Sequence, residues 1–208
     1  MMRSQKGFPW QRVGVVAALL VLLCLIVEYI FNLGRAGFDA TNHWLSEYVL
    51  SDSLWVVWFM KACFIGLGVA GYASGKRSRE WHVRALFQLG AICLAAMAFL
   101  DTDPNDGRVY PMRFPPTHGN MHQLLLFVAM GATLIAIALR VFLYDPPKAR
   151  RGKLEAVLFG AALSATSVQF FLSSIADANH VMTRFGGITE RIIVVTIMAW
   201  VISFCLRD

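Results

Sequence analysis

Six apolar runs, each close to the length that crosses a bilayer, follow one another along nearly the whole chain. A helix needs about 20 predominantly apolar residues to cross a hydrocarbon core of about 30 Å. In that core only a helix or a closed barrel satisfies its own backbone polar groups. The runs fall at about 12–33, 54–75, 84–100, 117–141, 154–176 and 188–206, and the intervals between them are too short for a separate soluble domain. The expectation is all-α: a polytopic membrane protein, a six-transmembrane-helix bundle with both termini cytoplasmic, forming a single integral membrane domain over residues 1–208. Composition agrees, since 57% of the 208 residues are hydrophobic and 15% charged, where an ordinary soluble domain has about a quarter charged. Disorder and a secreted enzyme on one anchor are both excluded. The first run follows Arg3 and Lys6 as a signal peptide would, but it is longer than a typical signal core and precedes equally apolar sequence, so it is expected to remain as the first helix.

Orientation follows from the Lys and Arg distribution. Thirteen lie at the termini and in the loops on their side, five on the opposite side, and Lys61 within the second run completes the 19. The positive-inside rule then places both termini in the cytoplasm of an inner (plasma) membrane, with the other three loops outside. His43, His118, His122 and His180 fall outside, as do Asp39, Glu47, Asp52, Asp101, Asp103, Asp106, Asp177 and Glu190. Polar chemistry is therefore expected at the outer, periplasmic face. The net charge of +6 comes from short basic clusters between apolar runs, which suit anionic lipid head groups and not nucleic acid.

The sharpest local signal is Pro115-Pro116-Thr117-His118-Gly119-Asn120-Met121-His122. Two prolines stop what precedes, and Thr117 caps the helix that follows. Four residues apart, His118 and His122 project from one helical face and can share a metal ion. Zinc fits such a pair better than haem, whose two axial ligands approach from opposite sides of the ring. The pair reads equally as a polar helix start whose histidines hydrogen-bond loop carbonyls. In the segment Asp39 to Tyr48, His43 is the natural third ligand, Ser46 can position a water or an oxyanion, and Trp44 and Tyr48 suit the membrane interface. Asp101 and Asp103 end the third run beside Asp106-Gly107. They can orient a ligand histidine or act as general base, or they can simply make turns.

Inside the membrane, Glu28 and Lys61 stand at similar depth and are expected either to pair across antiparallel neighbours, which costs less than two separate buried charges, or to serve a proton or substrate. Gln169, Glu190, Arg191, Asp177 and His180 extend this polar interior. Cys24, Cys63, Cys93 and Cys205 all sit in apolar runs, where a thiol behaves as a small hydrophobe, so neither a disulfide framework nor a cysteine metal site is expected.

With Ser46-Glu47-Tyr48, Asp101-Thr102-Asp103-Pro104, His118-Gly119-x-x-His122 and Glu190-Arg191 in this order, the chain resembles a bacterial and archaeal membrane family catalogued as domain of unknown function 998. The resemblance covers nearly the whole chain and implies a compact multi-pass fold without supplying an activity. A more distant likeness is to the membrane hydrolases that include alkaline ceramidases and adiponectin-type receptors, which combine a Ser and an Asp with a zinc ion held by histidines. Ser46, Asp101, His43, His118 and His122 match those residue types, but that superfamily has seven helices and carries its histidine pair late.

Two functions follow as expectations. One is a zinc-dependent hydrolase of a lipid or amphiphile at the outer leaflet: His43, His118 and His122 hold the metal, Asp101 or Asp103 serves the water, and Ser46 and Glu47 lie at the site. The other is a non-enzymatic membrane protein: a small-molecule or ion binder, a carrier, or a subunit of an envelope assembly. Membrane lipids surround the chain in either case.

Overall fold

Every apolar run forms a helix. The computed structural model describes residues 9–31, 43, 45–51, 53–102, 117–144, 150–179 and 185–206. Its helices are α1 (Trp10–Phe31), α2 (Leu54–Arg77), α3 (Trp81–Met97), α4 (His118–Leu139), α5 (Arg150–Asn179) and α6 (Gly186–Cys205). A 3₁₀ turn spans Leu45–Leu50, and α4 continues into a π-helical turn at Arg140–Tyr144. No strand occurs among the described residues. Five helices are long and apolar enough to cross a membrane. The exception, α3, has 17 residues and measures about 25 Å at 1.5 Å per residue, somewhat short of a typical hydrocarbon core.

Helix ends follow local chemistry. The carbonyl of Pro9 accepts from Arg12 N and Val13 N and opens α1. Thr117 caps α4 as its sequence requires: its Oγ1 accepts from Asn120 N at 3.2 Å, and Asn120 Oδ1 accepts from Thr117 N at 3.4 Å. Between α2 and α3 the chain reverses over Ser78 to Glu80, and Arg84 grips the carbonyl of Ser78 with Nη2 at 2.9 Å and Nε at 3.3 Å.

Because all sides of these helices are apolar, packing shows only in which side chains are covered. On α1, Ala17, Ala18, Val21, Leu25 and Glu28 are buried at helical spacing, while Val16, Leu19, Leu20, Leu23 and Ile26 are exposed. Large exposed apolar faces of this kind suit lipid. Neighbours pack in chain order from α1 to α4; α6 then returns against α1, α5 packs on α6, and α4 meets α5 only lightly. Gly14 of α1 lies against Cys205 of α6, so both ends of the helical chain share one end of the bundle, the terminal end. There Arg140 Nη1 pairs with Glu80 Oε2 at 2.8 Å, and its guanidinium lies 5.2 Å from the Phe204 ring. Phe204 stacks on Trp200, which stacks on Phe87 of α3. The opposite, far end gathers the C-terminal end of α1, the 3₁₀ turn and the starts of α2, α4 and α6.

Glycines set the closest approaches. A Cβ at Gly68 would stand 2.8 Å from the backbone oxygen of Ala91, whereas one at Gly160 would meet nothing within 4 Å. Gly68→Ala must push α2 from α3 and should cost about 1–3 kcal/mol. Gly160→Ala should be neutral or gain up to about 1 kcal/mol from helix propensity. Unfolding of both variants in one detergent would check the contrast, and equal stability would contradict the assigned α2–α3 contact.

Candidate functional site

A carboxylate near the C-terminal end of α1 organises the far end. Glu28 is fully buried, and a lone buried charge there would be strongly unfavourable. Arg191, one residue into the second turn of α6, meets it with a two-pronged fork, Nη2 to Oε1 at 2.7 Å and Nε to Oε2 at 3.1 Å. This bidentate geometry is the strongest that a guanidinium and a carboxylate make. The Tyr48 hydroxyl also donates to Glu28 Oε1. The remaining Arg191 donors go to the carbonyls of Gly187, 2.8 Å, and His43, 3.3 Å, and Nη2 lies 3.3 Å from the Tyr48 oxygen. Burial pushes the Tyr48 phenol above its ordinary value; the adjacent Glu28 carboxylate reinforces the shift and Arg191 opposes it. The phenol therefore stays protonated across the physiological range and keeps donating.

The partner expected for Glu28 was Lys61, and the structure corrects this: the counter-ion is Arg191. Lys61 instead holds its ammonium 5.6 Å from the Trp58 ring centroid. Depth along the helix was right and direction around it was wrong. Where α1 meets α2, Val21 lies against Gly66, a register that sets Glu28 opposite position 59. Residue 61 points about 200° away from position 59 at 100° per residue.

Next to this pair the 3₁₀ turn adds two further carboxylate contacts. Leu45 N donates to Glu190 Oε2 at 2.6 Å. His43 Nδ1 stands 3.2 Å from Glu47 Oε2, and Glu47 and Ser46 are buried. Three carboxylates, Glu28, Glu47 and Glu190, thus share one region with the Arg191 guanidinium and the His43 imidazole. Tyr48 and the Leu45 amide are participants that sequence reasoning did not single out for these roles. Their signal was position beside Ser46-Glu47, Leu45 just before it and Tyr48 just after it as the third residue of that motif. Behind them Thr189 bonds Gln169 of α5, which ties the start of α6 to its other neighbour.

The histidine pair lies at the junction of α3 and α4. His118 and Asp101 face each other at 3.9 Å with side chains 71% and 65% exposed, a contact that contributes little in water. His122 turns inward and is buried. Its Nδ1 lies 3.2 Å from the carbonyl of Leu100, its ring edge meets Phe64, and its buried Nε2 has no hydrogen-bond partner among the described residues. Among the described residues no three His, Cys, Asp or Glu side chains stand close enough to share a metal ion. His43, His118 and His122 are therefore not brought together as a ligand set. Asp103 and His180 lie outside the described residues, as does the side chain of Asp177.

The fold and this polar end define a multi-pass helical membrane protein. A family model described as "Protein of unknown function (DUF998)" matches residues 15–207, and the chain belongs to that family. Neither a curated protein nor a solved structure matches it.

Removing Arg191 leaves Glu28 buried with Tyr48 as donor. Arg191→Met should therefore destabilise by about 3–5 kcal/mol, and the double variant Glu28→Met, Arg191→Met should recover most of it. Asp101→Asn should change stability by less than about 1 kcal/mol. Unfolding by denaturing detergent would measure all three. Lack of recovery in the double variant would mean that the pair is not the dominant contact of Glu28.

Proposed function

We propose that this chain is a non-enzymatic protein of the inner (plasma) membrane, with both termini in the cytoplasm, that binds a small cationic ligand at its outward-facing polar end. The observation that carries the reading is that, among the described residues, Glu28 and Glu190 converge on a single guanidinium, an excess of carboxylate over guanidinium. That guanidinium, Arg191, is already forked onto Glu28, and Glu47, beside His43, adds its carboxylate next to Glu190. In a low-dielectric setting such an excess attracts a positive charge with hydrogen to donate. Catalysis is less well supported, because the histidines expected to hold zinc are engaged separately, His43 with Glu47 and His122 with Leu100. The bias of Lys and Arg toward the terminal end supports the orientation.

Thermal unfolding of the protein in lipid nanodiscs, with a panel of primary and quaternary amines beside neutral and anionic amphiphiles, tests the reading. An amine that binds should raise the melting temperature, by the equivalent of about 2.7 kcal/mol at a hundred times its dissociation constant. Glu190→Gln and Glu47→Gln should abolish that shift. Equal shifts from neutral and anionic compounds would overturn the proposal. So would stoichiometric zinc in the purified protein that is lost in the His118→Ala, His122→Ala double variant, which would restore the hydrolase. A C-terminal reporter found active outside the cell would overturn the orientation.

A further inference from the structure

The α1–α2 interface has a regular antiparallel register. A Cβ placed at Gly14 would lie 3.3 Å from Ala73 Cβ, and one at Gly66 would lie 3.0 Å from Val21 Cγ2. These two contacts share a single register, in which each step forward in α1 matches one step back in α2. Three residues beyond Val21 and three before Gly66, the same register sets Cys24 opposite Cys63. The side chains agree: each thiol is the group that acts most strongly on the other. Gly66, one turn away, allows the helices this approach.

Both sulfurs lie inside the spanning part of their helices. Cys24 is seven residues from the end of α1 at Phe31 and Cys63 nine from the start of α2 at Leu54, depths of about 10 and 14 Å from the far end. Cys63 is buried in the interface, and Cys24 is half-buried beside the exposed Leu20 and Leu23. One sulfur is thus open to the lipid side and the other is backed by protein. Charged or strongly polar oxidants enter such a place at high cost. An oxidant that reaches it must dissolve in lipid.

We propose that Cys24 and Cys63 are a redox-active dithiol within the membrane, which closes to a disulfide by reducing a lipid-dissolved quinone. Both S–H bonds break and one S–S bond forms. The electron pair and the two protons pass to the two carbonyl oxygens of the quinone, leaving a hydroquinone. Reactants and products are neutral, so the net reaction leaves no separated charge in a medium of low dielectric constant. Closure staples α1 to α2 one helical turn from Glu28, and external dithiol reductant reverses it through thiol–disulfide exchange.

Wild-type protein reduced in liposomes, with or without a short-chain ubiquinone in the bilayer, provides the test. After denaturation and alkylation, trypsin without reductant cuts after Arg12, Arg35, Lys61 and Lys76, and so separates Cys24 on peptide 13–35 from Cys63 on peptide 62–76. With quinone, these peptides should appear mainly as one disulfide-linked species, two hydrogens lighter than their sum, with one hydroquinone formed per link. Cys93 and Cys205 should be alkylated throughout, and Cys24→Ser should abolish both link and hydroquinone. Full alkylation of Cys24 and Cys63 after excess quinone would overturn the proposal. So would links spread over all four cysteines, which would reflect unfolded chains.

Discussion

A carboxylate and a guanidinium, both withdrawn from water, hold the two ends of the sequence together. Glu28 belongs to the first helix and Arg191 to the last, 163 positions apart. The bidentate fork between them fixes α1 against α6, and Tyr48 fastens the 3₁₀ turn to the same oxygen. Neither charge could remain in the membrane alone, because the desolvation penalty of a single ion exceeds what apolar packing around it returns. The order of helices around the bundle follows from this. With α1 held to α6, the chain closes into a ring that runs from α4 through α3, α2, α1 and α6 to α5, with its lightest contact between α4 and α5.

The two ends of the bundle are held by different means. At the terminal end, Arg140 bonds a partly exposed Glu80 and lies over an aromatic stack, so the pair meets water through the Glu80 carboxylate while the flat guanidinium covers Phe204. At the far end the charges are enclosed, and backbone carbonyls of Gly187 and His43 take up donors that water would otherwise satisfy. Enclosed donors with fixed partners specify one arrangement more sharply than exposed pairs do.

How much of this was legible in the sequence depends on what was asked. Helix positions were plain, because apolar length and the Thr117 cap are local signals. The common end for α1 and α6 followed from an even number of antiparallel helices. Directions around each helix were not legible, since lipid-facing and protein-facing sides are equally apolar and leave no periodic contrast. For that reason Lys61 was matched to Glu28 by depth alone. His118 and His122 do share a helical face, but only the second lies deep enough to be covered, and one turn of rise separates solvent from core. Two of the four motif segments, Ser46-Glu47-Tyr48 and Glu190-Arg191, turned out to meet in space. Nothing in the chain order announced this, because their contact depends on how α6 returns to α1.

That return has a consequence for how the molecule is made. Glu28 leaves the ribosome before its partner, which follows 163 positions later, a delay of roughly 8 to 30 s at typical synthesis rates. Throughout that interval the first helix carries a carboxylate without the guanidinium that it meets in the fold. It has to wait protonated, beside water in the insertion channel, or shielded by an insertion factor, until the sixth helix is delivered. Closure of the ring therefore waits for the sixth helix, and a chain truncated before Arg191 would present a helix marked for quality control.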